Sequence, residues 1–334
     1  MSKLKVGVVG VGSLGFHHAR ILRDLNDAEL IGVHDSNLTR LAQVAGELGV
    51  MAYDSMERLL GSVQACVVAV PTTAHERVAR AALERGVHVL VEKPIAPDLA
   101  AADRILQAAD ASGAMVQIGH VERFNGALRA CEPYLDQPIF VESHRLAPFG
   151  PRGTDVAVVL DLMIHDLDLV LSLMHRPVQS ISAVGVPVLT SSPDIANARL
   201  EFEGGGVANL TASRVSLDRM RKIRFFQRSG YISLDLAAGK GEFLRLRPGV
   251  SVEERLASLG ENRALDFTAL LDIVERISLV GDGAEPLRAE LESFVAAAQG
   301  RAPVAVSGRE GRDALAVALE IIRRIETYVT TTPA

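Results

Sequence analysis

The stretch LKVGVVGVGSLGFHHARIL, residues 4–22, narrows the choice of fold more than any other part of the chain. A β-branched run leads into Gly10-Val11-Gly12-Ser13-Leu14-Gly15 and then into an apolar pattern of helical period. Strand, glycine turn and helix in that order gather backbone N–H groups and the positive end of a helix dipole at one point, where a pyrophosphate is held well. A lone GxGxxG is weak evidence. Here ELIGVHD supplies a second strand ending in Asp35, 20 residues beyond Gly15. A carboxylate at that distance accepts from a ribose 2′-hydroxyl and repels a 2′-phosphate, so the pattern predicts NAD rather than NADP, although Asn37 and Arg40 follow closely.

The alternation continues. ACVVAV (65–70), VHVLVE (87–92) and MVQIG (115–119) are short apolar runs of the kind that form buried parallel strands. Helical patterns lie between them at about 75–85 and 98–112, the second opened by Pro97-Asp98. This is a doubly wound parallel sheet, whose ligands gather at the carboxyl ends of the strands. Those ends carry Pro71-Thr72-Thr73-Ala74-His75, Glu92-Lys93-Pro94 and Gly119-His120. Pro71, Thr72, His75, Glu92 and Lys93 therefore join Gly10, Gly12, Ser13, Leu14, Gly15 and Asp35 as cofactor-binding candidates. Lys93, at a buried strand end beside a cationic nicotinamide, is expected to have a lowered pKa and to donate to a developing alkoxide. Taken alone it would read as a surface lysine in a turn; the context favours the chemical role. Cys66 lies within a strand and reads as inert core filler.

A chain of 334 residues exceeds what one hydrophobic core usually supports, and the pattern changes near residue 122. The expected division is a Rossmann domain at 1–122 and a substrate-binding and oligomerisation α/β domain at 123–334. VERFNGALRACEPYL reads as a helix bridging the two. Beyond it IFVESHRL, VQSISAVGVPV, IANARLEFEGGGVANLTASRV, IRFFQRSGYISLDL and GEFLRLR alternate and turn at glycines, which predicts a large, mostly antiparallel open sheet. Residues 248–283 have weaker periodicity and more charge and read as a mobile excursion; helical patterns return at about 284–299 and 309–328. An open sheet face of this size predicts a homo-oligomer, dimer or tetramer.

A net charge of −6 argues against a general nucleic-acid binder. The 2 cysteines, Cys66 and Cys131, make no disulfide framework and lack metal-site spacing, so no metal is expected and a reducing compartment is. The N-terminus enters a strand-like run at once, without room for a signal peptide, and no apolar stretch approaches the ~18 residues of a membrane span. The expectation is a cytoplasmic protein with neither membrane nor nucleic acid as partner.

One further stretch carries chemistry. LDLMIHDLDLVLSLM (160–174) sets Asp161, His165, Asp168 and Ser172 in an otherwise greasy helix. In a regular α-helix their offsets fall at about 40°, −20° and 20°, a stripe too narrow for a solvated face. The expected place of that stripe is a cleft holding the nicotinamide. Asp161 and His165 are i,i+4 neighbours, so the carboxylate can orient the imidazole as a general base. The structural alternative is a buried polar ladder that only fixes the helix, and it weighs most for Asp168 and Ser172.

The fingerprint GVGSLG, the EKP tripeptide and D-x-x-x-H-x-x-D at 161–168, in this order and spacing, together resemble the Gfo/Idh/MocA oxidoreductases over essentially the whole chain. That resemblance implies NAD(P)-dependent oxidation of sugars or cyclitols, with Lys93, Asp161 and His165 catalytic. One position departs: the family commonly has a small glycine midway through the last motif, where this chain has Met163, which either narrows the pocket or turns into the core. Within the family, LMIHDLDLVLSL with DIANARLEF and VANLTASRVSLDRMRKIRFFQ resembles the bacterial branch that oxidises UDP-N-acetylglucosamine at C3 and supplies an amino sugar for lipid A. Residues 214–228 hold Arg214, Arg219, Arg221, Lys222, Arg224 and Arg228 against a single acid, Asp218. Arginine forks suit a diphosphate, so Arg214 and Arg219 are expected on a UDP-sugar, with His120, Arg123, His144, Arg145, Lys93 and His165 reaching the same cleft. The alternative for the basic run is a solvated edge that discourages aggregation. Two other functions fit the scaffold: a free-sugar or inositol dehydrogenase, and a non-catalytic NAD-binding regulator. A regulator has no need of a lysine at the strand end or an Asp–His dyad, and the presence of both argues against it.

Overall fold

A computed structural model describes residues 2–150, 156–251 and 273–331. The chain divides into two compact units, Met1–Phe124 with Ala284–Glu320, and Asn125–Gly283 with Ile321–Ala334.

The first unit alternates strand and helix: β1 (Leu4–Val9), α1 (Ser13–Arg23), β2 (Ala28–His34), α2 (Leu38–Leu48), α3 (Met56–Leu60), β3 (Ala65–Val68), α4 (His75–Leu83), β4 (His88–Glu92), α5 (Leu99–Ser112) and β5 (Val116–Gly119). The five strands run parallel in the order β2-β1-β3-β4-β5. Val6 and Val8 of β1 and the whole of β3 are buried, as β-branched runs covered on both faces require. Asn37, Ser55 and Asp98 cap α2, α3 and α5 with their side chains.

The second unit is an eight-stranded sheet. Its elements are α6 (Gly126–Cys131), β6 (Phe140–Leu146), α7 (Ile164–Met174), β7 (Val178–Val186), β8 (Ile195–Phe202), β9 (Val207–Ser213), β10 (Met220–Gln227), β11 (Gly230–Asp235), β12 (Lys240–Leu246) and β13 (Val274–Val280). The order is β13-β12-β11-β10-β6-β9-β8-β7, and every neighbouring pair is antiparallel except β6 with β9. Burial alternates along β6, β8 and β9, so one sheet face is packed and the other is open. Gly204, Gly205 and Gly206, all at positive φ, turn β8 into β9 as expected. α7 packs on β6 and β9, and α6 on β11, β12 and β13.

The structure differs from the sequence reading in three places. The expected bridging helix is broken into a 3₁₀ turn at Val121–Phe124, the short α6 capped by Asn125, and a second 3₁₀ turn at Glu132–Tyr134. Pro133 lies in that second turn, and an Asn that accepts from the Ala127 N–H starts a new helix rather than continuing an old one. Within the stretch expected to be a mobile excursion, 274–280 forms the edge strand β13, while 252–272 lie outside the described residues.

The third difference concerns the single boundary at 122/123. α8 (Pro286–Ala298) returns to the first unit, where Leu291, Phe294 and Val295 join Val6, Val8, Ile21 and Leu22 in one cluster. Each such side chain removed from water is worth about 1.5–3 kcal/mol, a reward that alternating sequence patterns do not reveal. α9 (Gly308–Thr331) begins in the first unit, its Gly308 and Gly311 lying against Val116 and Ile118, and continues from Ile321 in the second.

Both cysteines are wholly buried, and burial pushes each thiol up to about 12. Native protein titrated with a thiol-reactive chromophore at pH 8 is expected to show no fast reaction, and two equivalents on unfolding. Fast reaction of either thiol in the native state would contradict the packing of β3 or α6.

Candidate active site

In the first unit the β1–α1 turn is built for close approach. Gly10 has φ +88°, and a Cβ there would lie 2.7 Å from the Ala69 carbonyl. At Gly15 a Cβ would lie 1.8 Å from the Gly10 oxygen. Gly12, by contrast, faces open space and offers α1 no capping side chain, so the helix N-terminus is left to a bound anion. Ser13 and Leu14 are exposed on the first turn. Asp35 Oδ2 accepts from the Val11 N–H at 2.7 Å and Oδ1 from the Asn37 N–H at 2.8 Å, which aims the carboxylate at the turn. Arg40 donates to the Val11 carbonyl at 2.8 Å and lies 5.8 Å over the Phe16 ring. A dinucleotide fits this arrangement: amides for its pyrophosphate and a fixed carboxylate for its ribose.

The end of β4 is held from two sides. Glu92 is buried; its Oε1 lies 2.6 Å from His18 Nε2 and its Oε2 accepts from the Lys93 N–H at 3.2 Å. Burial works against the charge of Glu92, yet the His18 bond and the neighbouring Lys93 hold its carboxyl below the usual glutamate range. His75 is buried too, with Nδ1 at 2.9 Å from the Pro94 carbonyl and Nε2 at 2.9 Å from that of Val70. Burial pushes its imidazole below the ordinary value. Among 92–96 only Lys93 is not buried, and its peptide bond to Pro94 is cis. The side chains of His75 and Glu92 are spent on internal partners and brace the strand end, whereas Pro71 and Thr72 stand in the exposed 3₁₀ turn before α4. His18 is the residue that sequence reasoning missed; its only signal was a second polar position on an otherwise apolar stripe of α1.

In the second unit the polar stripe does not lie on a regular α-helix. Val159–Met163 form a π-helical turn that runs into α7, so the offsets expected of Asp161 and His165 do not hold. Both are half-buried at the junction, whereas Asp168 is buried and the Ser172 hydroxyl donates back to the Leu169 carbonyl at 2.8 Å. Met163 is wholly buried: it turns into the core and leaves no obstacle beside the dyad.

The arginines are redistributed as well. Arg145 is buried and forks onto Asp166, Nε to Oδ2 at 3.0 Å and Nη2 to Oδ1 at 2.8 Å. Arg214 donates to Asp194 Oδ1 at 2.8 Å, to the Val156 carbonyl at 2.6 Å and to Thr190 Oγ1 at 3.1 Å. Asp194 also accepts the N–H groups of Val188, Leu189 and Thr190. Burial opposes its charge, but those amides and Arg214 hold the carboxyl well below the usual aspartate range. Arg145 and Arg214, both expected on a substrate diphosphate, each donate to an internal carboxylate and act as struts.

Arg123 pairs with Glu310 at 3.2 Å in the first unit, where His120 is buried at the end of β5. Arg219 is exposed, His144 half-buried, and Arg224 pairs with Glu142 at 3.0 Å. Strand alternation sends Arg221 to the face of Ile223, and Lys222 and Arg224 to the other, so the basic run is no single cluster.

Comparison with known proteins follows these units. Residues 4–120 match the oxidoreductase family with an NAD-binding Rossmann fold, Gfo/Idh/MocA, and residues 117–233 match the Gfo/Idh/MocA C-terminal domain. A UDP-N-acetylglucosamine 3-dehydrogenase from Acidithiobacillus ferrooxidans is 35% identical over 98% of this chain and 99% of its own. The solved structure of UDP-N-acetylglucosamine 3-dehydrogenase from that organism superposes with a TM-score of 0.87 at 34% identity, over 98% of this chain and all of the other. The scyllo-inositol 2-dehydrogenase (NAD(+)) of Bacillus subtilis is 27% identical over 64% of this chain and 68% of its own. The fold is shared with a scyllo-inositol dehydrogenase from Lactobacillus casei, TM-score 0.77 at 18% identity, covering 98% of each chain.

Arg214→Ala is expected to destabilise the protein by about 3 kcal/mol or more in chemical denaturation, since it strands a buried carboxylate. Because Asp194 is held low, its contribution is complete above the ordinary aspartate value of 3.8 and is lost as pH falls below it. Parental stability in the Arg214→Ala variant, with a raised KM alone, would restore the ligand role.

Proposed function

The chain belongs to the Gfo/Idh/MocA oxidoreductase family, and from that premise we propose that it oxidises the C3 hydroxyl of UDP-N-acetylglucosamine with NAD. The observation that carries the substrate is the match through both units to a UDP-N-acetylglucosamine 3-dehydrogenase, at 35% identity over 98% of the chain. The inositol dehydrogenase likeness is lower, at 27% over 64%. The cysteine usage and the lack of an apolar span in the sequence add a cytoplasmic location, the resemblance adds a place in the supply of lipid A amino sugar, and both are part of the proposal.

Bound at the Gly10–Gly15 turn and Asp35, NAD supplies the hydride acceptor. His165 takes the proton of the substrate hydroxyl, and the Asp161 carboxylate on the preceding turn favours the imidazolium that forms. The Lys93 ammonium donates a hydrogen bond where negative charge develops on oxygen. The first unit would be the Rossmann domain, and the second the substrate-binding domain. With Arg145 and Arg214 withdrawn into the protein, Arg219 is the exposed guanidinium left from the expected diphosphate pair. The open sheet face of the second unit carries Phe226, Val184 and Val186 among its exposed side chains, with Phe140, Phe226 and Tyr231 stacked at 5.3 and 4.8 Å. A second copy of the chain is the partner this face fits.

The deciding assay is reduction of NAD and of NADP with UDP-N-acetylglucosamine, free N-acetylglucosamine and myo-inositol. Turnover of the UDP-sugar with NAD is expected, with His165→Gln and Lys93→Met each lowering kcat by ~10²-fold or more and Arg219→Ala raising KM. Equal turnover of a free sugar or inositol would favour the second reading, a dehydrogenase without a diphosphate site. Sedimentation is expected to give a dimer or tetramer that a charge at Phe226 (Phe226→Asp) breaks; a monomeric parent would refute the sheet-face assembly.

A further inference from the structure

The His18–Glu92 contact lies outside the chemistry assigned so far. His18 is wholly buried on α1, the helix whose N-terminus follows the glycine turn, and its Nε2 meets Glu92 Oε1 at 2.6 Å. The other carboxylate oxygen accepts from the Lys93 N–H. Gly119 at the end of β5 closes the remaining side: a Cβ there would stand 3.3 Å from the Glu92 carboxyl. His18 Nδ1 has no partner among the described residues, so the ring makes its one bond to Glu92. Because the carboxyl is held in its charged form, Nε2 is the nitrogen that carries a proton toward it.

We propose that His18 is a positioning residue for Lys93: it fixes a carboxylate charge behind the lysine and so keeps the side chain a hydrogen-bond donor. The inference rests on the reading of Lys93 as the group that meets the alkoxide. Without the His18 bond, Glu92 would face burial with only Lys93 favouring its charge and would take up a proton more readily, which weakens the field of that carboxylate at the ammonium. An apolar residue at position 18 would fill the space and hold α1 in place, but it would not hold the charge on Glu92.

The chain has only 5 lysines, Lys3, Lys5, Lys93, Lys222 and Lys240, so carbon-13 dimethylation gives a countable set of NMR signals. Lys93→Met identifies the signal of interest by its loss. Glu92→Gln and His18→Leu are each expected to lower the titration midpoint of Lys93 by about one pH unit. His18→Gln, whose amide donates from nearly the same place, is expected to restore it. A purely structural His18 would change thermal stability and leave the midpoint unmoved; midpoints equal to the parent in both Glu92→Gln and His18→Leu would overturn the proposal. Should His18→Leu fail to fold, His18→Ala takes its place, and Glu92→Gln tests the carboxylate separately. Turnover of Lys93→Met is a separate result: if it equals the parent, the catalytic reading of Lys93 fails while the electrostatic link stands or falls by the titration.

Discussion

One missing methyl group governs the first unit. A side chain at Gly15 would overlap the Gly10 carbonyl, so only glycine lets α1 start so close behind β1. That closeness directs the helix N-terminus at the turn where a pyrophosphate binds, and it brings His18, a turn further on, within reach of Glu92. The lysine at the end of β4 thus depends on a backbone contact at the start of the chain. The glycine turn and the end of β4 are one packed assembly rather than two motifs that share a domain.

Buried charge plays the corresponding part in the second unit. Arg145 reaches from β6 to Asp166, the residue after His165, and fixes the rotation of α7 about its axis. Arg214 and the three amides around Asp194 tie the loop after β7 to the end of β9. Such pairs add little net stability over apolar residues of the same shape, but losing one partner is costly, so they favour one arrangement over its neighbours. Of the two, Arg145 bonds the imidazole-bearing helix itself, whereas Arg214 holds the loop after β7.

Much of this was legible in the sequence because it follows short-range rules. β-branched runs between glycine turns predict the parallel strands, and alternation predicts seven of the eight strands in the second sheet. The family motifs single out Lys93, Asp161 and His165, which the fold sets just after β4 and at the start of α7; their roles belong to the proposal. What was not legible depends on partners distant in the chain. Whether Arg214 faces a substrate or Asp194 turns on a contact spanning 20 residues and three loop amides, and no spacing rule encodes it. The return of Leu291 and Phe294 to the first core, and the edge strand at 274–280, are likewise settled by packing. His18 reads as one of two histidines in a helix until the fold brings it to Glu92, 74 residues away.

The π-helical turn at Val159–Met163 has a consequence for how this protein can change over evolution. A widened turn holds one residue more than the α-helix that follows, so removing a single residue there would restore regular winding at no cost to the hydrogen-bond ladder. It would also swing Asp161 by roughly 100° relative to His165. Every residue type in the dyad would survive such a deletion, and the angle between them would not. The angle between Asp161 and His165 therefore depends on chain length at this turn as much as on which residues occupy it.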